Sequence, residues 1–216
     1  MQVRITWKLA AIGLVTAGFA MAGSGAGAML MNLSKSQVSE AVAHGKKFFD
    51  QHPTAFRVNY YYNAGYGYPN ALLLTEFLAV SDFIRRAEFQ RKYGSQRAHK
   101  ETPDRIEDRR KQVAGKLQFL VTIYGGKQDF AKDYGFALKA NGKTVQASSV
   151  DAPVMAELSG FKGRLSYTAK VIVEFPAAGI DPNGKVALVI DPPDGFGPSG
   201  GRNANYELPF DLASMK

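Results

Sequence analysis

The sequence predicts an α+β protein, with about three N-terminal helices packed on a C-terminal antiparallel immunoglobulin-like β-sandwich. Three observations carry that prediction. Apolar residues recur at helical spacing up to about residue 115 and alternate at strand spacing beyond it. The second part holds about six short strand-like runs separated by Gly/Pro turns, with no helical run between them. The change of period comes without a linker, so the helices are expected to lie against the sheets. The division is residues 1–28 as a leader, 29–115 as a helical region with a tyrosine-rich connection, and 116–216 as the β-sandwich.

The leader reads as a secretory signal peptide. Arg4 and Lys8 stand with no acid, the apolar run LAAIGLVTAGFAMAG follows, and Ala26–Gly27–Ala28 supplies small residues at a cleavage spacing. The run is shorter than the ~20 apolar residues of a spanning helix and is diluted by glycine. Cleavage near Ala28 would leave a chain long enough to bury a core. The chain has no cysteine, which excludes disulfides, thiolate metal sites and a lipid-modified cysteine. Export without disulfides fits a bacterial envelope, so a periplasmic or secreted location is expected.

Ser34 is positioned to cap the first helix, with Gln37 three residues on as its capping-box partner. Val38, Ala41, Val42, Gly45 and Phe48 then follow at helical spacing, and Pro53 ends the run. The stretch NYYYNAGYGYPN at 59–70 connects to a second helix, expected to begin with Asn70 as cap and to end at Gly94. Phe56, Val58, Tyr60 and Tyr62 alternate, as a buried extended segment would. That leaves Tyr61, Tyr66 and Tyr68 as candidate ligand contacts, because tyrosine pairs an apolar ring with a polar end. Thr102, Pro103 and Asp104 open a third, largely solvated helix whose apolar face is Ile106 and Val113.

Strands follow from Lys116. KLQFLVTIY alternates Leu117, Phe119, Val121 and Ile123 on one face. Asn141–Gly142 is a hairpin turn signal, and Pro182–Asn183–Gly184 is a turn between two further strands. Pro209 suits the last strand only if that strand lies at an edge.

The net charge of +8 is concentrated. Residues 29–84 hold four bases and four acids, and residues 117–216 hold ten of each. Residues 85–116 hold eleven bases against five acids. The candidate partner-binding residues are therefore Arg85, Arg86, Arg91, Lys92, Arg105, Arg109, Arg110 and Lys111, docking an anionic envelope component or an acidic protein face. Nucleic acid is disfavoured by export. The third helix lacks the Trp/Phe/Leu face of a membrane-inserting helix.

Chemical motifs are weak. GFGPSG at 195–200 matches the dinucleotide fingerprint but leads into a strand, where the phosphate site needs a helix. GPSGG at 197–201 matches a nucleophile elbow but has no later histidine. His44, His52 and His99 have no metal-ligand spacing, and Asp181, Asp191 and Asp194 belong to ordinary turns. No catalytic residue, metal or cofactor is assigned. The expected function is a non-enzymatic binding or assembly protein of the bacterial cell envelope. The alternative is a small secreted enzyme or inhibitor with its site in the Gly/Pro-rich loop 191–205.

Overall fold

The structure, a computed structural model, describes residues 32–65, 67–94, 101–193 and 205–215. The leader, Tyr66 and most of the 191–205 loop lie outside the described residues. Four α-helices and two antiparallel sheets make up the described fold.

Helix α1 (Lys35–Lys47) begins as its sequence dictates. The Ser34 side chain accepts from the Gln37 amide, and the Gln37 side chain accepts from the Ser34 amide. Residues 53–56 form a single turn, α2 (Pro53–Phe56). Then come β1 (Tyr61–Asn63), β2 (Asn70–Leu74), α3 (Glu76–Tyr93) and α4 (Pro103–Val113). Thr102 caps α4 and Pro103 occupies its first turn, as expected.

Two expectations fail in this region. The second helix does not begin at Asn70: residues 70–74 are strand β2, and Thr75 caps α3 through an Oγ1 that accepts from the Leu78 amide at 3.1 Å. Ala71 and Leu73 are buried between the sheets and Leu72 is buried from the other side. A run buried on both faces has no period that separates strand from helix. Nor are residues 56–62 one extended segment. A 3-10 turn over Val58–Tyr60 leaves Phe56 and Tyr60 buried but turns Val58 out, 65% exposed.

The remaining strands are β3 (Lys116–Gly125), β4 (Gly135–Ala140), β5 (Lys143–Gln146), β6 (Ser149–Asp151), β7 (Glu157–Leu158), β8 (Tyr167–Pro176), β9 (Lys185–Asp191) and β10 (Tyr206–Asp211). One sheet runs β1-β2-β3-β8-β6, with β7 also on β8, and the other runs β10-β9-β4-β5. Asn141 (φ 51°) and Gly142 (φ 72°) turn β4 into β5 with both central residues left-handed, the geometry of a two-residue hairpin. Pro209 sits on β10, an edge strand, where its missing N–H costs no ladder bond.

The core lies between the sheets. Leu117, Phe119, Val121 and Ile123 of β3 are fully buried there, with Val171 and Val173 of β8, Leu188 and Ile190 of β9, and Phe210 of β10 in the same cluster. The opposite face of β3 carries Gln118, Leu120 and Thr122, all half-buried. A second, smaller cluster joins the helices through Leu33, Ala41, Phe77 and Val80. Glu76, buried at the start of α3, ties the helices together. Its carboxylate accepts from the amides of Asn32 (2.8 Å) and Leu33 (3.0 Å) and from Arg110 Nη1 on α4 (3.0 Å).

Helix α1 crosses α3 at Gly45, where a Cβ would stand 2.3 Å from the Ser81 carbonyl oxygen and 2.8 Å from Ile84 Cβ. Gly45→Ala would gain about 0.5–1 kcal/mol of helix propensity. Overpacking against a backbone oxygen costs about 1–3 kcal/mol, and this term should win. The variant is expected to be less stable by about 1–2 kcal/mol in urea unfolding; an unchanged or raised midpoint would mean that the crossing yields easily.

Candidate functional site

The basic helices and the start of the tyrosine stretch meet along one groove. Helix α3 leaves β2 directly, and α4 feeds β3, the strand paired to β2. Both helices therefore flank the outer face of that strand pair. Leu72 and Leu120 are opposite each other in the register and form the floor.

Three adjoining compartments make up the groove. The mouth, about 450 Å³, lies between α3 and α4 and is lined by Phe83, Arg86, Gln90, Arg105 and Arg109, with Asp108 beside them. An inner compartment of about 180 Å³ shares Phe83, Arg86, Arg109 and Gln112 with the mouth and adds Arg57, Leu72, Leu78, Val113 and Leu120. A third, of about 290 Å³, shares Arg57, Leu72 and Leu120 and adds Tyr61, Thr122 and Lys170.

A carboxylate organises the cations. Asp82 on α3 receives Arg57 Nη2 at 2.6 Å, Arg85 Nε at 3.0 Å and Arg86 Nε at 2.8 Å. Burial alone would push the Asp82 carboxyl up. The hydrogen bond and charge of Arg57, with Arg86 and Arg85, outweigh burial and hold it below the usual carboxylate range. Across the mouth, the guanidinium groups of Arg105 and Arg109 lie over the Phe83 ring at 5.9 and 6.0 Å, and Arg109 Nη1 donates to Gln112 Oε1 at 2.7 Å.

The eight basic candidates thus divide. Arg85 is a correction: it is 5% exposed, stacked over Phe56 at 5.3 Å and bonded to Asp82 and to the Gln51 carbonyl, so its charge is internal. Arg110 is largely engaged with Glu107 and Glu76, which hold its proton even more firmly than usual. Arg91 pairs with Glu88 and Glu101. Lys92 lies over Phe49 and Tyr93 on the far side of α3, and Lys111 is exposed with Glu107 at 3.9 Å. Arg86, Arg105 and Arg109 converge on the mouth.

The tyrosines divide too. Tyr61 lines the third compartment, half-buried, and burial followed by the neighbouring Tyr124 raises its hydroxyl pKa. Tyr68 packs edge-on against Tyr206 of β10 at 6.1 Å, joining the loop to the other sheet. Tyr66 lies outside the described residues.

Sequence reasoning missed Arg57 and the Leu72/Leu120 floor. The signal for the floor was present in the LLL run and in the second face of KLQFLVTIY, whose Leu120 stands among polar residues. Arg57 carried no signal, because it reaches the groove only through a turn between α2 and β1.

Among the described residues, no group of three or more His, Asp or Glu side chains is placed to hold a metal ion, and no helix is long and apolar enough to cross a membrane. Comparison with protein-family models, with curated proteins and with solved structures finds no match for the chain.

Proposed function

We propose that the chain is an exported, non-enzymatic binding protein of the bacterial cell envelope that holds an anionic partner on its α3–α4 face. One observation carries this reading. Arg86 from α3 and Arg105 and Arg109 from α4 converge on a single cleft, while Arg85 and Arg110 are directed inward to the buried carboxylates of Asp82 and Glu76. Arginine's planar fork is suited to carboxylate and phosphate groups. Export is supported by the basic, apolar and Ala-x-Ala order of residues 1–28.

The scaffold in this reading is an immunoglobulin-like sandwich. The strand order supports it: β2-β3-β8-β6 and β10-β9-β4-β5 follow the A-B-E-D and G-F-C-C′ orders of that architecture, with β1 as an added edge. The helices would then be an insertion-like cover on the outer face of the A-B-E-D sheet, and they form the binding site.

The test is co-sedimentation of the protein with isolated envelope fractions at low and high salt. Exposed-charge attraction fades as the Debye length falls from ~10 Å at 0.1 M salt to ~3 Å at 1 M. The expected result is pelleting at low salt that 1 M salt releases and that Arg105→Glu/Arg109→Glu abolishes. Absence of pelleting at every salt, or pelleting indifferent to the double reversal, would remove this reading.

A further inference from the structure

We propose that the groove is a binding site for a single-chain anionic amphiphile: an oxyanion head, phosphate or carboxylate, in the α3–α4 mouth and an alkyl or acyl chain along the Leu72/Leu120 floor. This rests on the anionic partner proposed above and names its chemistry.

The head position follows from the cations. Arg86 from α3 and Arg109 from α4 border both the mouth and the inner compartment, so they stand where the groove deepens. The Arg86 Nε is fixed by Asp82 at 2.8 Å, and the side chain is still 58% exposed. Its position is therefore set before a ligand arrives, which lowers the ordering cost of binding. Four arginines and two aspartates border the mouth and inner compartment. One of those aspartates, Asp82, is already committed to three guanidinium groups, so the local field favours an anion.

The tail position follows from the floor. A site for a bare ion has no use for an apolar floor, and here Leu72, Leu78, Val113 and Leu120 lie directly behind the arginines. Leu72 and Leu120 continue the floor past Arg57 into the compartment that ends at Tyr61 and Lys170. Small concave spaces with apolar walls and a few placed polar groups are the form of a small-molecule site. A nucleic-acid or protein surface would ask for a broad, open face instead. The site is a trough with arginines clustered at its mouth and a leucine floor leading away from them, past Arg57 to Lys170 at the far end, which matches an anionic head with a hydrocarbon chain lying along the floor.

Isothermal titration of the purified protein with inorganic phosphate and with butyl, hexyl and octyl phosphate, below their micelle concentrations, tests this. Each methylene that reaches the floor should tighten binding about fourfold, so two give roughly fifteenfold. Inorganic phosphate should bind far more weakly than octyl phosphate. Arg86→Ala/Arg109→Ala should raise Kd at least tenfold at every chain length, and Leu120→Asn should flatten the chain-length dependence while leaving the head contacts. Octanoate beside octyl phosphate reports which head is preferred, and a preference for either supports the site. Equal affinity for phosphate and octyl phosphate, or no binding by any of them, overturns the proposal on the unaltered protein, whether or not the variants fold. If the alkyl phosphates fail while envelope pelleting keeps its salt dependence, the amphiphile falls and the anionic docking face stands. If pelleting also fails, both fall.

Discussion

Replacing Phe119 by alanine is expected to destabilise the protein by about 3–5 kcal/mol, the range for deleting a buried aromatic ring. The ring has no solvent exposure and sits on β3, the strand that β2 and β8 flank. It meets Phe175 of β8 edge-on at 5.9 Å and Phe210 of the opposite sheet at 5.2 Å. One side chain thus links neighbours within its sheet to the facing sheet. Such aromatic pairs contribute about 0.5–1.5 kcal/mol beyond their burial. The surrounding positions cannot readily close the gap, because Leu73 and Val173, its neighbours on either side, are each held in ladder register with β3. In urea the midpoint should fall with the slope unchanged. Val150→Ala, at an exposed edge position, should change stability by less than about 0.5 kcal/mol. A Phe119→Ala protein within 1 kcal/mol of the parent would mean that the two sheets do not share a close-packed core.

How far the sequence foretold this fold depends on whether a segment has one buried face or two. The α1 capping box, the Thr102–Pro103 start of α4, the β3 alternation and the Asn141–Gly142 turn are local signals, and each appears where the residues put it. They were legible because a cap or a hairpin turn is satisfied within a few residues of itself. Strand β2 was not, since Leu72–Leu74 reads as the opening of a helix until a sheet and two helices enclose it. Residues 149–158 were also silent. Strands β6 and β7 expose nearly all of their side chains, so they carry no alternation and exist only through pairing with β8.

The candidate site was half legible for a related reason. Charge counting located the basic segment but could not tell an arginine facing a carboxylate from one facing water. Arg85 and Arg86 are adjacent in sequence, yet one is internal and the other borders the mouth. Their difference comes from the roughly 100° turn per residue of α3, together with Asp82 three and four residues earlier. Tyr61 was singled out for its type. What makes it part of a groove is Arg57 and the Leu72/Leu120 pair, which only the fold brings beside it.

Asp82→Ala is expected to cost about 3–5 kcal/mol, as breaking one side of a buried ion pair does. The three arginines on this carboxylate do not contribute equally. Arg86 is mostly exposed and would rehydrate on losing its partner, and Arg57 would do so in part. Arg85 would not: it is enclosed by Phe56 and the Gln51 carbonyl, and its charge would be left without a counterion. That stranded guanidinium sets the size of the effect. Removing both buried charges together should therefore recover most of the loss, so Asp82→Leu/Arg85→Met should be more stable than Asp82→Ala. Acid offers a second reading of the same node. The Asp82 carboxyl is held below its ordinary value of about 3.9, so the native state keeps it ionised where the unfolded chain takes up a proton. Its contribution is full above about pH 5 and is lost as pH falls through the lower, folded-state value. The stability gap between the parent protein and Asp82→Ala should accordingly be widest near neutrality and shrink below pH 4. A gap that stayed constant down to pH 3 would mean that the carboxylate owes nothing to its arginines, and the mouth of the groove would lose the anchor that fixes Arg86.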